Sequence, residues 1–180
     1  MTPTNTPRSF EPGSARRVAL TTALVLVLAF FATACGSSSS PSEPTAGAVS
    51  VAAAEASSVS LANRERGTDG LEMLWSDPVL SEIARQYSRE MRDQGFVSHF
   101  DKKGTAVDGR LRVAGVSFTM AGENIATIGR SVDPAGEAHS GFMNSASHRA
   151  NILNSRFTSM GVGVATNGDQ FWITQVFIRD

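Results

Sequence analysis

The sequence predicts an α+β domain in which helices are layered on an antiparallel sheet, and three observations predict it. An apolar stripe of helical period runs through residues 78–94, a second helix start stands at Asp133–Pro134, and residues 159–178 alternate around an Asn-Gly turn. Helices and strands do not follow the βαβ rhythm of a doubly wound sheet, so the pattern is an α+β or layered α-β-α one, with helices flanking a sheet whose antiparallel strands close the chain.

The 180-residue chain opens differently. Arg16 and Arg17 precede "VALTTALVLVLAFFA", fifteen residues from Val18 to Ala32 without a charge. A basic start, a short apolar core and small residues after it are the anatomy of an export signal. As a helix the run rises about 22 Å, short of a hydrocarbon core of about 30 Å. Cys35, the one cysteine, follows Ala32–Ala34 and precedes "GSSSSPSEPT". This resembles a bacterial lipobox with Ala32 where Leu is usual, and a lone exported thiol without an intramolecular partner suits lipidation and a membrane anchor. The alternative is an ordinary signal-peptidase site nearby, which would release the protein as a secreted one.

Cleavage before Cys35 leaves 146 residues, and losing Arg8, Glu11, Arg16 and Arg17 takes the formal net charge from −1 to −3. No basic patch remains, which excludes nucleic acid as a partner on charge. The expected organisation is a lipoprotein-type signal at 1–34, a lipidated Cys with a flexible Ser/Pro/Ala tether at 35–52, and one domain at 53–180. A tether of this length reaches roughly 55 Å extended and about 23 Å as a coil, which holds the domain near the extracytoplasmic side of a membrane.

Within the domain, an alanine-rich helix is expected from about Ala53 to Arg66, stopped by "GTDG". The next helix has Asp77 as N-cap and Pro78 at its first position. Leu80, Ile83, Ala84, Tyr87 and Met91 form its buried stripe, Glu82, Arg85, Arg89 and Asp93 its wet side, and Gly95 its end. A short helix is expected around Arg110–Val113 and strand character at the end of "AGENIATI". Asp133–Pro134 opens a helix to about Met143, with His139 facing solvent. The last element is a hairpin turning at "TNGD", with Met160, Val162 and Val164 on one face and Trp172 and Phe177 in the core.

Three chemistry-bearing side chains stand at element edges: His99 in "VSHF", Glu123 in "GENIA" and His148 in "SASHRANIL". Two imidazoles and a carboxylate are a plausible shell for a divalent transition metal, but their spacing does not show that they meet. His148 either lines a cleft or bonds a neighbouring carbonyl, in a short helix that Ser147 can cap. Arg149 is expected as an ion pair or carbonyl clamp. No G-x-S-x-G, H-E-x-x-H or phosphate-cradling loop is present.

"NRER", "LWSDPVLSEIA", "VSHF", "GENIA", "MNSASHRANIL" and "MGVGVA…WITQVF" together resemble the CAP superfamily of cysteine-rich secretory and pathogenesis-related proteins, over residues 55–178. The resemblance implies a three-layer α-β-α sandwich around a central antiparallel sheet, with a His/Glu cleft that in some members binds zinc or other divalent ions and in others sterols or lipids. His99 and Glu123 match the first cleft histidine and glutamate. Phe142 stands at the family's tryptophan, Ser145 at its second glutamate and Trp172 at its second histidine, so two of the four cleft residues of eukaryotic members are replaced. His148 belongs to the bacterial S-x-x-H-R-x-N-I-L form and offers an imidazole from another position.

The expected cleft is therefore His99, Glu123, Ser145, His148 and Asn151, with His99, Glu123 and His148 as ligands of Zn²⁺ or another divalent ion. The leading expectation is a cell-envelope lipoprotein whose cleft binds a lipid, glycan or protein ligand. Its rivals are a metal-dependent extracytoplasmic hydrolase with Glu123 as general base, and a purely structural envelope domain.

Overall fold

The structure, a computed structural model, describes residues 49–180. The expected signal at 1–34, Cys35 and the tether as far as residue 48 lie outside the described residues. The elements are α1 (Val51–Thr68), β1 (Trp75–Ser76), α2 (Pro78–Gln94), α3 (Val107–Val113), β2 (Met120–Ile128), α4 (Pro134–Asn144), α5 (Ala146–Ile152), β3 (Ser159–Thr166) and β4 (Phe171–Arg179). The sheet order is β1-β3-β4-β2, with β1 parallel to β3 and the other pairs antiparallel. The fold is α+β, with a four-stranded mixed sheet.

Sequence alternation sorts the helices into two outer layers. Met160, Val162 and Val164 of β3 and Ile173 and Phe177 of β4 pack with Ala54 and Ala62 of α1, Ala138 and Phe142 of α4 and Ile152 of α5. The opposite residues of β4, Trp172, Val176 and Ile178, pack under α2 and α3 with Leu80, Ile83, Tyr87, Met91 and Leu111. Each such large side chain, once buried, contributes roughly 1.5–3 kcal/mol. On the α2 face β3 presents Gly161 and Gly163. A Cβ on Gly163 would lie 2.0 Å from the Arg85 backbone nitrogen, and one on Gly161 2.3 Å from the Leu80 carbonyl carbon, so α2 rests directly on the strand.

α2 has the expected bounds, with the Asp77 carboxylate accepting from the Val79 and Leu80 amides and Gly95 left-handed at φ 67°. α1 begins at Val51, two residues before the sequence boundary, and the Ser50 hydroxyl accepts from the Ala53 amide. β2 runs through all of "MAGENIATI" rather than its end alone. Three expectations are corrected. His139 is buried, 6% exposed, because it continues the stripe of Ala135, Ala138 and Phe142 toward α1, where its Nε2 lies 3.3 Å from Glu65 Oε1. Ser145, not Ser147, is the N-cap of α5, and it makes no side-chain cap bond.

The third concerns Arg149, expected as an ion pair or a carbonyl clamp at a buried edge: it is an exposed ion-pair partner, and the carbonyl clamp is Arg66. Arg66, 1% exposed, donates from Nε to Glu72 O (2.8 Å), from Nη1 to Ile152 O (2.9 Å) and Asn154 O (2.8 Å), and from Nη2 to Phe157 O (3.5 Å). It ties the end of α1 to both segments that lead into the sheet. Burial without a carboxylate partner holds the guanidinium below its ordinary pKa. Arg149 is exposed and lies 3.8 Å from Asp69.

Candidate functional site

Among the described residues β2 pairs only with β4, which leaves its other edge open. Strand alternation sends Glu123 toward the α2–α3 layer and Gly122 and Asn124 to the α5 side. Glu123 is nearly enclosed, its side chain 3% exposed, and both of its oxygens are engaged. Oε1 lies 2.9 Å from His99 Nδ1, and Oε2 accepts from Arg110 Nη2. Arg110 also donates from Nη1 to Thr105 O (3.1 Å), and its guanidinium carbon sits 3.4 Å from the centre of the Tyr87 ring. Burial pushes the Glu123 carboxyl upward, against the opposing pull of Arg110 and His99. Burial also pushes the Tyr87 hydroxyl up to about 12.

His99 reaches the site from the loop after α2. The Tyr87 hydroxyl donates to Ser98 O (2.7 Å) and the Phe100 amide donates to Ser98 Oγ (3.0 Å), which pins the backbone on both sides of the ring. An ionised carboxylate only accepts, so Nδ1 is assigned the proton; the neutral ring then keeps Nε2 as an acceptor. The His99 side chain is 50% exposed, and Phe100 beside it is 58% exposed. The arrangement is a buried carboxylate orienting a half-exposed imidazole. If one of the two accepts a proton from a bound molecule, it is His99; Glu123 has no free oxygen with which to act as general base.

On the other side of β2 a polar network fixes α5. Asn151 Nδ2 donates to Glu123 O (3.1 Å) and Asn124 Oδ1 (2.9 Å). Asn124 Nδ2 donates to His148 O (3.1 Å) and Gln175 Oε1 (3.0 Å), and Gln175 Nε2 donates to Ser58 Oγ (3.0 Å). The His148 carbonyl is thus held, while its ring stands edge-on to Phe142 at 5.3 Å. Burial lowers the His148 pKa, and a proton taken up by His99 would push it the same way. The structure brings His99 and Glu123 together and ties Asn151 to the Glu123 backbone, while the His148 ring makes no hydrogen bond to either side chain. The Ser145 hydroxyl lies 3.3 Å from Ser147 Oγ at the α4–α5 junction. Sequence reasoning missed Arg110 and Tyr87. Tyr87 reads as one more member of the α2 stripe, and nothing local separates Arg110 from Arg112, which pairs with Asp108 on the surface.

As arranged, these residues do not fit an ion held by three protein ligands. The carboxylate is already bonded to a guanidinium and an imidazole, and among the described residues no group of three His, Cys, Asp or Glu side chains could hold an ion.

The family model described as CAP, cysteine-rich secretory protein family, matches residues 59–177, which span every element of the site. The chain belongs to the CAP family. Among relatives of this CAP protein, the Bacillus subtilis (strain 168) protein named "Uncharacterized protein YkwD" is 39% identical over 129 residues, covering 72% of this chain and 48% of the relative. The "Uncharacterized membrane protein YlbC" of the same organism is 40% identical over 120 residues, covering 66% and 32%. The crystal structure of an extracellular protein containing a SCP domain from Bacillus anthracis str. Ames superposes with a TM-score of 0.64 at 34% identity, covering 72% of this chain and 41% of that one. The chain thus spans less than half the length of each. The sequence has one cysteine, Cys35, which precedes the CAP match, so residues 59–177 hold together without an internal disulfide.

Proposed function

We propose that this CAP domain is an exported, membrane-tethered binding module whose cleft takes an uncharged, hydroxyl-rich ligand of the cell envelope, a glycan. The observation that carries the reading is the His99–Glu123 pair: a half-exposed imidazole, locked by a buried carboxylate, that offers its Nε2 as an acceptor, with the exposed side chain of Phe100 next to it in sequence. A sugar hydroxyl donates to such an acceptor, and an exposed aromatic face suits a pyranose ring. The Arg110–Glu123 pair cancels its own charge, so the site does not select for an ion. The export reading draws on the basic and apolar leader, on Cys35 with its lipobox-like setting, and on relatives described as extracellular and as a membrane protein.

Calorimetric titration of tetra-N-acetylchitotetraose into the purified protein tests the cleft. Saturable binding that is lost in His99→Ala and retained in a surface control, Arg156→Ala, is the expected result. No binding, or binding that His99→Ala leaves unchanged, would refute the proposal. A hydrolase at this site would reveal itself by shortening the oligosaccharide; without turnover the domain is a binder.

A further inference from the structure

Arg110 is the residue of this site that neither the sequence motifs nor the proposed ligand account for. Its side chain is 12% exposed, stacks on Tyr87, bonds Thr105 O and bridges to Glu123 Oε2, and its Nε is buried without a partner. On its far side lies an open cavity of about 590 Å³ between α2, α3 and the 101–105 loop, with Tyr87, Glu90, Asp101, Thr105 and Arg110 in its wall. Arg110 therefore stands between this cavity and the buried carboxylate.

We propose that Arg110 is the resident cation of the cleft: it supplies to Glu123 the positive charge that a divalent ion would otherwise bring. A buried carboxylate must be compensated, by a proton, a metal or a protein cation. Here the cation is covalently part of the chain and spreads its donors over Glu123 and Thr105, a planar two-partner geometry that an ammonium would not reproduce. Two consequences follow. The wild-type site has no vacancy for an external cation next to Glu123. Truncating Arg110 opens Glu123 to the cavity, whose wall then carries the Glu90 and Asp101 carboxylates against the single ammonium of Lys103, a balance that favours the entry of a cation. This inference stands independently of the glycan reading, because it concerns what neutralises Glu123 and not what binds to His99.

The test uses two external cations, Zn²⁺ and guanidinium, with wild type, Arg110→Ala, Arg110→Gln and the Arg110→Ala/Glu123→Gln double variant. Calorimetry is expected to show no Glu123-dependent Zn²⁺ site in wild type, and a saturable site gained in Arg110→Ala and lost in the double variant. Guanidinium chloride, at concentrations too low to denature wild type, is expected to raise the melting temperature of Arg110→Ala and not that of the double variant. A Zn²⁺ site in wild type that Glu123→Gln abolishes would overturn the proposal. So would a folded Arg110→Ala that neither gains a cation nor responds to guanidinium. If Arg110→Ala does not fold alone, recovery of its fold by guanidinium supports the proposal, and a folded Arg110→Gln that gains no Zn²⁺ site overturns it.

Discussion

Replacing Arg66 by Met should destabilise the domain by about 3 kcal/mol, although the residue lies outside the cleft. The substitution keeps an unbranched apolar stem as far as the position of Nε but removes the guanidinium and with it every donor. Three bonds of 2.8–2.9 Å, to Glu72, Ile152 and Asn154 carbonyls, disappear with the fourth, longer one to Phe157. A hydrogen bond to a charged group contributes roughly 1.5–3 kcal/mol, and each buried carbonyl left without a partner costs about 1–3 kcal/mol. Against this, Met no longer has to bury a cation, which recovers several kcal/mol of desolvation. The downward push of burial on the Arg66 pKa shows that this opposing term is present. The balance of about 3 kcal/mol corresponds to a fall in melting temperature of roughly 10 °C for a domain of this size. Urea unfolding followed by circular dichroism gives the free energy, and Arg66→Lys, which reaches fewer carbonyls, should fall between the two. A Met variant within about 0.5 kcal/mol of wild type, the range of an ordinary surface substitution, would refute the clamp.

Other outcomes are equally specific. Gly163→Ala forces a methyl to 2.0 Å from the α2 backbone and should cost about 3 kcal/mol or prevent folding, whereas Gly141→Ala, with no atom in the way, should leave the melting temperature unchanged or slightly raised. The His148 pKa is lowered on folding, so below its unfolded value of about 6.5 the unfolded chain gains a proton that the folded chain refuses. Its contribution to stability therefore falls as pH drops from 7.5 toward 5.5, and in His148→Gln, compared by melting temperature at those two pH values, that part of the slope disappears.

The sequence carried the parts of this fold that are written locally. α2 could be read entire because an N-cap, a proline, one unbroken apolar stripe and a terminal glycine all agree on it. The hairpin could be read because Met160, Val162 and Val164 alternate along β3 and Asn167–Gly168 opens the four-residue turn that leads to Phe171. β1 could not: two residues carry no pattern, and they are a strand because β3 pairs with them and Asn63 brackets Leu74, donating to its carbonyl and accepting from its amide. His139 was legible in principle, since it falls at i+4 from Ala135, but a polar side chain on a mixed helix invites an outward placement. For Arg149 an ion pair and a carbonyl clamp were both open from sequence, and it pairs with Asp69; the carbonyls that need donors face the end of α1, which only the tertiary path of the chain shows. Of the site, the resemblance named His99 and Glu123, and the structure joins them. Arg110 stayed hidden because its meaning lies in a contact thirteen residues away in sequence, across two elements.

The most direct test of the central claim, that buried Glu123 sets the tautomer of His99 and aims its Nε2 at the cleft, is ¹⁵N NMR of the histidine side chains in wild type and Glu123→Gln. A protonated Nδ1 and a bare, acceptor-type Nε2 are expected for His99 in wild type, with that preference lost in Glu123→Gln. A wild-type His99 that carries its proton on Nε2 would contradict it.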